Sequence, residues 1–176
     1  DIAIMETGLG GRFDSVTACN ANIFGVTSIS VDHGHILGNN LTMIAKEKIA
    51  AIQKKSLVYS VKQEASVESL IIKKCIENNC HYHYIKTNSN INLSLKGEHQ
   101  KENASLAIAI ADSILGRMNE KRILECLMSI NWHGRNQIVS KNPDIIFDVA
   151  HNESGLKSFL DFLKTGKKTY NKKTLL

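Results

Sequence analysis

The stretch IFGVTSISVDH, residues 23–33, decides the fold of this chain. Its first nine residues are rich in β-branched and apolar side chains, which favours a strand. Two more strand-like runs follow at residues 56–61 and 81–85. The segments between them, residues 41–52 and 66–78, carry apolar residues at helical spacing. Alternating strands and helices predict a parallel α/β sheet.

The regions on either side of this core extend the pattern. Residues 1–5 indicate a further strand, already in progress at Asp1 and ending at Glu6. Residues 98–115 and 120–130 predict two helices. The pattern changes near Asn131, after which strands are expected at 137–139 and 145–149 and a helix at 154–163. We therefore predict a domain boundary near residue 130.

Composition narrows the classes of protein. The 176 residues are 43% hydrophobic and 22% charged, as in ordinary globular proteins, and no apolar run approaches the roughly 20 residues of a membrane span. The net charge of +5 comes without an aromatic-interleaved basic stripe, which argues against nucleic acid as a partner. No C-x-x-C spacing is present, so reduced thiols and a cytoplasmic location are expected. A zinc cluster of Cys75, Cys80, His81 and His83 is the alternative, but its spacing is irregular.

Three motifs place polar groups at the ends of apolar stretches. They are ETGLGGRFD (6–14), VDHGHILG (31–38) leading to IAKEK (44–48), and WHGR (132–135) followed by DVAHN (148–152). Parallel sheets bind ligands at the carboxyl ends of their strands, so Glu6, Asp32 and His33 should share one edge, where a carboxylate and an imidazole could hold a divalent ion. Glycines in the first motif would let the backbone approach an anion or metal; the alternative is a tight turn with a capping carboxylate.

With LKGEHQKENA at residues 95–104, these motifs resemble the folylpolyglutamate synthase/dihydrofolate synthase branch of the Mur-ligase family. The resemblance covers nearly the whole chain. It implies a parallel-sheet, Mur-ligase-like central ATPase domain, represented in part by residues 1–130. Residues 131–176 would then be the start of a Rossmann-like C-terminal ligase domain.

The resemblance also implies an activity. Enzymes of this family use ATP to add L-glutamate to dihydropteroate or to folate glutamate tails through an acyl phosphate. ATP and Mg²⁺ would be the cofactors, the partners would be small-molecule substrates, and a monomer is expected. Which pterin substrate is used stays open. The alternatives are another Mur-family amino-acid ligase, such as a cell-wall ligase, and a non-catalytic remnant.

Three residues are implied as metal ligands: Glu6, His33 and Lys48. In the family, the matching lysine is carbamylated by CO₂, which converts a cation into a carboxylate-like ligand. Burial would favour the neutral amine that this reaction needs. An unmodified surface lysine is the alternative for Lys48.

Four residues are implied around the nucleotide. Asn103, Arg135 and Asp148 would bind it, and His151 would lie near the phosphates. Lys48, Arg135 and His151 form the implied catalytic set. A planar, permanently charged guanidinium suits phosphate oxygens. Capping at the end of a strand is the alternative role for the DVAHN motif.

The chain departs from the family pattern at several positions. His133 and Glu153 stand where prolines are usual, and residues 49–53 (IAAIQ) differ from the usual sequence after the lysine. The phosphate-cradling motif G-x-x-G-K-[ST] is absent from the sequence. We therefore expect a fragment that lacks the phosphate loop and most of the C-terminal domain, and that is inactive alone.

Overall fold

The computed structural model describes residues 1–165, 170 and 172–175. A short 3₁₀ turn over Ser15–Cys19 precedes the first strand. The other elements are β1 (Ile23–Val26), α1 (Gly34–Leu37), α2 (Leu41–Ile49), β2 (Leu57–Ser60), α3 (Ala65–Glu77), β3 (His81–Tyr84), α4 (Glu98–Leu115), α5 (Glu120–Ser129), β4 (Gln137–Lys141), β5 (Asp144–Phe147) and α6 (Glu153–Thr165).

The first three strands form a parallel sheet in the order β1-β2-β3. Ile23 lies opposite Leu57, which in turn lies opposite His81. Helices connect successive strands, because a parallel pair needs a crossover rather than a hairpin. The predicted parallel α/β class is confirmed.

Helices cover both faces of this sheet. Val58 faces α2 and α3, where it joins fully buried Ile44 and Ile71 in the larger core cluster. The next residue, Tyr59, points to the opposite face and packs with Leu106 of α4. Successive strand residues alternate between faces, so one strand supplies both cores. Because both faces of the sheet are covered, its central strand β2 is largely buried. The outer strand β3, with the sequence HYHY, is largely exposed.

Helix α4 begins and ends at the predicted residues, Glu98 and Leu115. Its close approach to the sheet depends on Gly25, where a Cβ atom would lie 2.7 Å from Cδ1 of Ile110. The sequence offers Asn39 or Asn40 as the cap of α2, and in the structure the Asn40 side chain accepts a hydrogen bond from the Met43 amide at 2.9 Å. The missing side chain of Gly25 thus lets α4 pack closely on the sheet.

Two strand predictions need correction. Residues 1–5 form no strand, and their apolar side chains are exposed, with Ile4 94% exposed. A strand needs a hydrogen-bonded neighbour, and β1 pairs only with β2 among the described residues. The strand predicted over residues 23–31 stops at Val26, because its partner β2 ends at Ser60. Asp32 and His33 therefore lie in a loop beyond the strand.

The C-terminal region has its own small sheet. Strands β4 and β5 pair antiparallel, with Gln137 opposite Phe147, and α6 follows. Among residues 131–165, only Gly134 and Asn136 are buried. The domain boundary near residue 130 stays a prediction.

No helix in the part of the chain that the structure describes combines the length and apolar character needed to cross a membrane.

Candidate active site

A cavity of about 310 Å³ lies between the start of α4 and the loop that precedes β4. It brings together Asn103 and Arg135, two residues for which the family resemblance implies a role in nucleotide binding. Trp132 stands beside them with 64% of its surface exposed. The remaining lining residues are Leu95, His99 and Gln100.

Asp148 fixes the loop that carries Arg135. Its carboxylate accepts hydrogen bonds from the amides of Asn136 and Ala150, each at 2.8 Å. The Gly134 carbonyl also accepts from the Val149 amide at 3.0 Å. The aspartate predicted to bind nucleotide is therefore engaged with the backbone, and it links the Arg135 loop to the end of β5.

Asn136 ties the same loop to α4. Its side-chain amide donates to the Lys96 carbonyl at 2.9 Å, just before the helix begins. The residue is 2% exposed and adopts a left-handed conformation, which asparagine tolerates better than most residues. The two walls of the cavity are thus joined by a buried side chain.

His99 contributes a neutral imidazole to the cavity. Burial lowers its pKa most, and the neighbouring Arg135 lowers it further, while Asp148 acts in the opposite direction. His99 Nε2 accepts a hydrogen bond from the Gln100 side-chain amide at 3.1 Å, since an amide nitrogen can only donate. Sequence analysis did not assign His99 to the site, although its place at the start of α4 was the available signal.

A second group of polar side chains lies where β1 and β5 lead into loops. Asp32, His33 and His151 each offer one ligand atom, and these atoms all lie within 4.8 Å of one another. The Nε2 atoms of both histidines are 3.7 Å from Asp32 Oδ2. Asn152 donates to that same oxygen at 2.9 Å, which connects residues 120 positions apart.

Asp32 is held in its ionised form. Partial burial is the largest single effect and raises its pKa, whereas the hydrogen bonds from the Asn152 side chain and the His33 amide lower it. The positive charges of His33 and His151, when these rings are protonated, also lower it, and the pKa of Asp32 is lowered by the sum of these effects. The carboxylate is therefore available as an anionic ligand at neutral pH.

Gln63 positions the loop that carries this carboxylate. The side chain is buried, accepts from the Ile29 amide at 2.9 Å and donates to the Thr27 carbonyl at 3.0 Å. The Gln63 side chain thus supplies hydrogen bonds to the segment after β1, which has no paired strand because β2 ends at Ser60. The segment that was predicted as strand is therefore held by a side chain.

The glycine-rich loop at residues 6–14 closes on its own aspartate. Asp14 accepts from the amides of Gly8 and Leu9, each at 3.0 Å, and from Val16. Hydrogen bonds from the amides of Leu9 and Val16, and to a lesser extent Gly8, lower the pKa of Asp14, while burial acts in the opposite direction. These amides are occupied, so the structure supports the tight-turn interpretation of this motif rather than an anion cradle.

Gly11 seats this loop on the end of α2, and replacing it with alanine should destabilise the chain. A Cβ atom there would lie 2.5 Å from the Lys48 carbonyl oxygen and 2.9 Å from that of Glu47, both backbone atoms. We expect Gly11→Ala to lower the free energy of unfolding by about 1–3 kcal/mol. Urea unfolding followed by circular dichroism measures this change.

Gly34 provides the matched control for that substitution. No atom lies within 4 Å of a Cβ built there, and it begins helix α1. Gly34→Ala should leave stability unchanged or raise it slightly. An equal decrease in the free energy of unfolding of the two variants would contradict the close packing of Gly11 on α2.

The predicted metal residues are only partly gathered. His33 belongs to the Asp32 group, but Glu6 is exposed and belongs to no group of three metal-competent side chains in the described ranges. Lys48 is half-buried near the end of α2, and its backbone contacts Gly11 of the glycine-rich loop. Carbamylation of Lys48 and the set Glu6, His33 and Lys48 stay predictions.

Sequence comparison gives a consistent family. No protein-family model matches the chain. The chain is 29% identical over 199 aligned residues to the dihydrofolate synthase/folylpolyglutamate synthase of Bacillus subtilis, covering 93% of this chain and 45% of that protein. The Escherichia coli protein of the same name is 30% identical, with 86% and 39% covered. The chain thus spans less than half the length of the curated relatives it matches.

Structural comparison agrees. Escherichia coli FolC in complex with DHPP and ADP matches with a TM-score of 0.80 and 26% identity, covering 93% of this chain and 43% of that one. A Mycobacterium tuberculosis folylpolyglutamate synthase complexed with ADP matches with a TM-score of 0.81 at 23% identity, over 90% and 42%. The fold is therefore that of the Mur-ligase-like enzymes. By sequence and fold together, the chain belongs to the folylpolyglutamate synthase/dihydrofolate synthase family.

Proposed function

We propose that the whole protein is an ATP-dependent ligase that joins L-glutamate to dihydropteroate, to a folate glutamate tail, or to both. The observation that carries this proposal is the cavity shared by Asn103 and Arg135. The family relationship supports it, since a relative has been solved with DHPP and ADP together. We place the reaction in the cytoplasm, where ATP is available and the four free cysteines stay reduced, and we expect a monomer.

The lining of the cavity suits an adenine nucleotide. Its volume of about 310 Å³ lies at the lower end of the range for small-molecule sites. The exposed face of Trp132 offers a surface for stacking a planar base. Arg135 offers a fixed fork of donors for phosphate oxygens, and Asn103 offers both a donor and an acceptor.

The reaction that we propose proceeds in two displacements. A carboxylate oxygen of the pterin substrate attacks the γ-phosphorus of ATP, and the bond from that phosphorus to the bridging β-phosphate oxygen breaks. ADP departs, and the pterin substrate becomes an acyl phosphate. The amine of L-glutamate then attacks the acyl carbon, phosphate departs with the bonding pair, and the amine loses a proton. Arg135 would neutralise charge on the transferring phosphoryl group.

His151 and Lys48 complete the proposed catalytic set. The Nδ1 atom of His151 lies 3.0 Å from the Val149 carbonyl oxygen, so its Nδ1–H donates and its Nε2 atom faces Asp32. The imidazole is thereby oriented toward the edge of the sheet where the phosphates are expected. Lys48 would contribute as a carbamate, a modification that intact mass measurement before and after acid treatment detects.

The ligands present near His33 do not match the preference of Mg²⁺. That ion prefers oxygen ligands and water, whereas His33 is accompanied by one carboxylate and a second imidazole. Glu6 lies outside this group. We therefore keep magnesium as a prediction from the family resemblance and assign no step to it.

Phosphate release from ATP by the whole protein tests the proposed function. We expect release only when L-glutamate and either dihydropteroate or a reduced folate are both present. Omitting either substrate should abolish it, because the acyl phosphate forms on the pterin carboxylate and is consumed by the amine. Comparing the two pterin substrates identifies the preferred one.

Two outcomes of the same assay would contradict the proposal. Phosphate release with another amino acid in place of glutamate, and no release with glutamate, would favour a different Mur-family ligase. No substrate-dependent release under any combination would favour a non-catalytic protein.

A further inference from the structure

We propose that Asp32, His33 and His151 form a binding site for a first-row divalent transition metal of the Zn²⁺ type. This set shares only His33 with the predicted magnesium ligands. It combines one carboxylate oxygen with two imidazole nitrogens, and all three ligand atoms lie within 4.8 Å of one another. The proposal does not depend on the ligase activity, since it concerns metal binding without nucleotide or folate.

Two of the three separations between the ligand atoms are close to those around a tetrahedral ion. Zinc binds histidine nitrogen and carboxylate oxygen at about 2.0–2.2 Å, which places neighbouring ligand atoms about 3.4 Å apart. The two measured nitrogen–oxygen separations, from His33 and His151 to Asp32, are 3.7 Å. These two separations exceed the ideal value by about 0.3 Å. The two imidazole nitrogens lie within 4.8 Å of each other, and three protein ligands leave a fourth position for water.

Direct hydrogen bonds do not account for this arrangement. Separations of 3.7 Å between imidazole nitrogen and carboxylate oxygen exceed those of real hydrogen bonds. The two rings are 6.4 Å apart between centroids and tilted by 46°, so they do not stack face to face. The three side chains therefore come together without a hydrogen bond between either imidazole and the Asp32 carboxylate.

The surroundings prepare His151 as a ligand. A backbone carbonyl can only accept a hydrogen bond, so the 3.0 Å contact between Val149 and His151 puts the proton on Nδ1. In the neutral ring, Nε2 then carries the free electron pair, and this is the atom that faces Asp32. A second hydrogen bond of this kind is the usual way in which proteins orient a metal-binding histidine.

Asp32 is similarly oriented. Its Oδ1 accepts from the His33 amide at 2.8 Å, and its Oδ2 accepts from Asn152 at 2.9 Å. These bonds fix the carboxylate in place and leave Oδ2 a further lone pair for a metal ion. Two nitrogens and one oxygen favour ions such as Zn²⁺ or Co²⁺ over Mg²⁺.

Titration of the chain with Co²⁺, after removal of any affinity tag, tests the proposal. We expect one ion per chain, visible absorption bands of a low-coordinate Co²⁺ site, and displacement by Zn²⁺ but not by excess Mg²⁺. His151→Gln and Asp32→Asn should each weaken Co²⁺ binding at least about tenfold. Loss of a residue that only hydrogen-bonds to a metal ligand already has an effect of this size, and loss of a ligand itself should cost no less.

His35→Gln is the matched control. The ring of His35 lies 6.4 Å from that of His33 but contributes no atom to the proposed site. The variant should bind Co²⁺ as the parent chain does. Absence of Co²⁺ binding in the parent chain would overturn the proposal, and so would equal affinity in the His151→Gln and parent chains. Circular dichroism of each variant separates loss of the site from loss of the fold.

Discussion

Replacing Gln63 with leucine should lower the free energy of unfolding by about 2–4 kcal/mol, because it leaves the buried Ile29 amide without an acceptor and removes a further hydrogen bond to the Thr27 carbonyl. The Ile29 amide loses the acceptor at 2.9 Å, and the Thr27 carbonyl loses the donor at 3.0 Å. Leucine is similar in volume but can satisfy neither group. Urea unfolding of the two chains measures the difference.

Gln53→Leu is the matched control for this prediction. Gln53 is half-buried, and its side chain makes longer hydrogen bonds, at 3.4 Å to the Thr17 carbonyl and 3.2 Å to that of Ala51. We expect a loss below about 1 kcal/mol, near the net value of one ordinary hydrogen bond. If Gln63→Leu costs no more than the control, the loop after β1 is held by something other than Gln63.

ATP should change the fluorescence of Trp132, the single tryptophan of the chain, and Arg135→Ala should weaken that response about 10- to 100-fold in affinity. Both residues line the same cavity. A charge-assisted hydrogen bond to phosphate contributes about 1.5–3 kcal/mol, which corresponds to this range. A fluorescence titration with ATP measures both affinities.

Arg122→Ala controls for the loss of a positive charge. Arg122 is exposed on α5 and does not line the cavity. It should bind ATP as the parent chain does at moderate ionic strength, because distant surface charges are screened. No fluorescence change at millimolar ATP, or equal weakening in both arginine variants, would remove the cavity as the nucleotide site.

The regular elements were predictable where local signals and packing agree. Helix α4 begins and ends as predicted because its apolar spacing matches the face that packs on the sheet. Asn40 caps α2 because its short side chain reaches the free amide of Met43. The strand predicted at residues 1–5 is wrong for a different reason. The apolar pattern of these residues is that of a strand, but a pattern cannot reveal whether a neighbouring strand is present.

The candidate site was predictable only within each motif. The sequence places Asn103 at the start of a helix and Arg135 in a turn, and the structure brings both to one cavity. The approach of His151 to Asp32 joins segments about 120 residues apart, and spacing within a motif carries no information about it. The occupation of the glycine-loop amides by Asp14 was weighed as an alternative; only coordinates distinguish it from an open anion site.

The scarcity of buried residues between residues 131 and 165 affects how easily this C-terminal region opens. Only Gly134 and Asn136 are buried between residues 131 and 165, whereas the parallel sheet has apolar clusters on both faces. Local opening of the C-terminal region should therefore cost less free energy than opening of the parallel sheet. The backbone amide hydrogens of this region should exchange with solvent first. Any ligand that bridges α4 and the Arg135 loop adds its binding free energy to the closed state. In the C-terminal region, a ligand would supply the stabilisation that a hydrophobic core supplies in the parallel sheet.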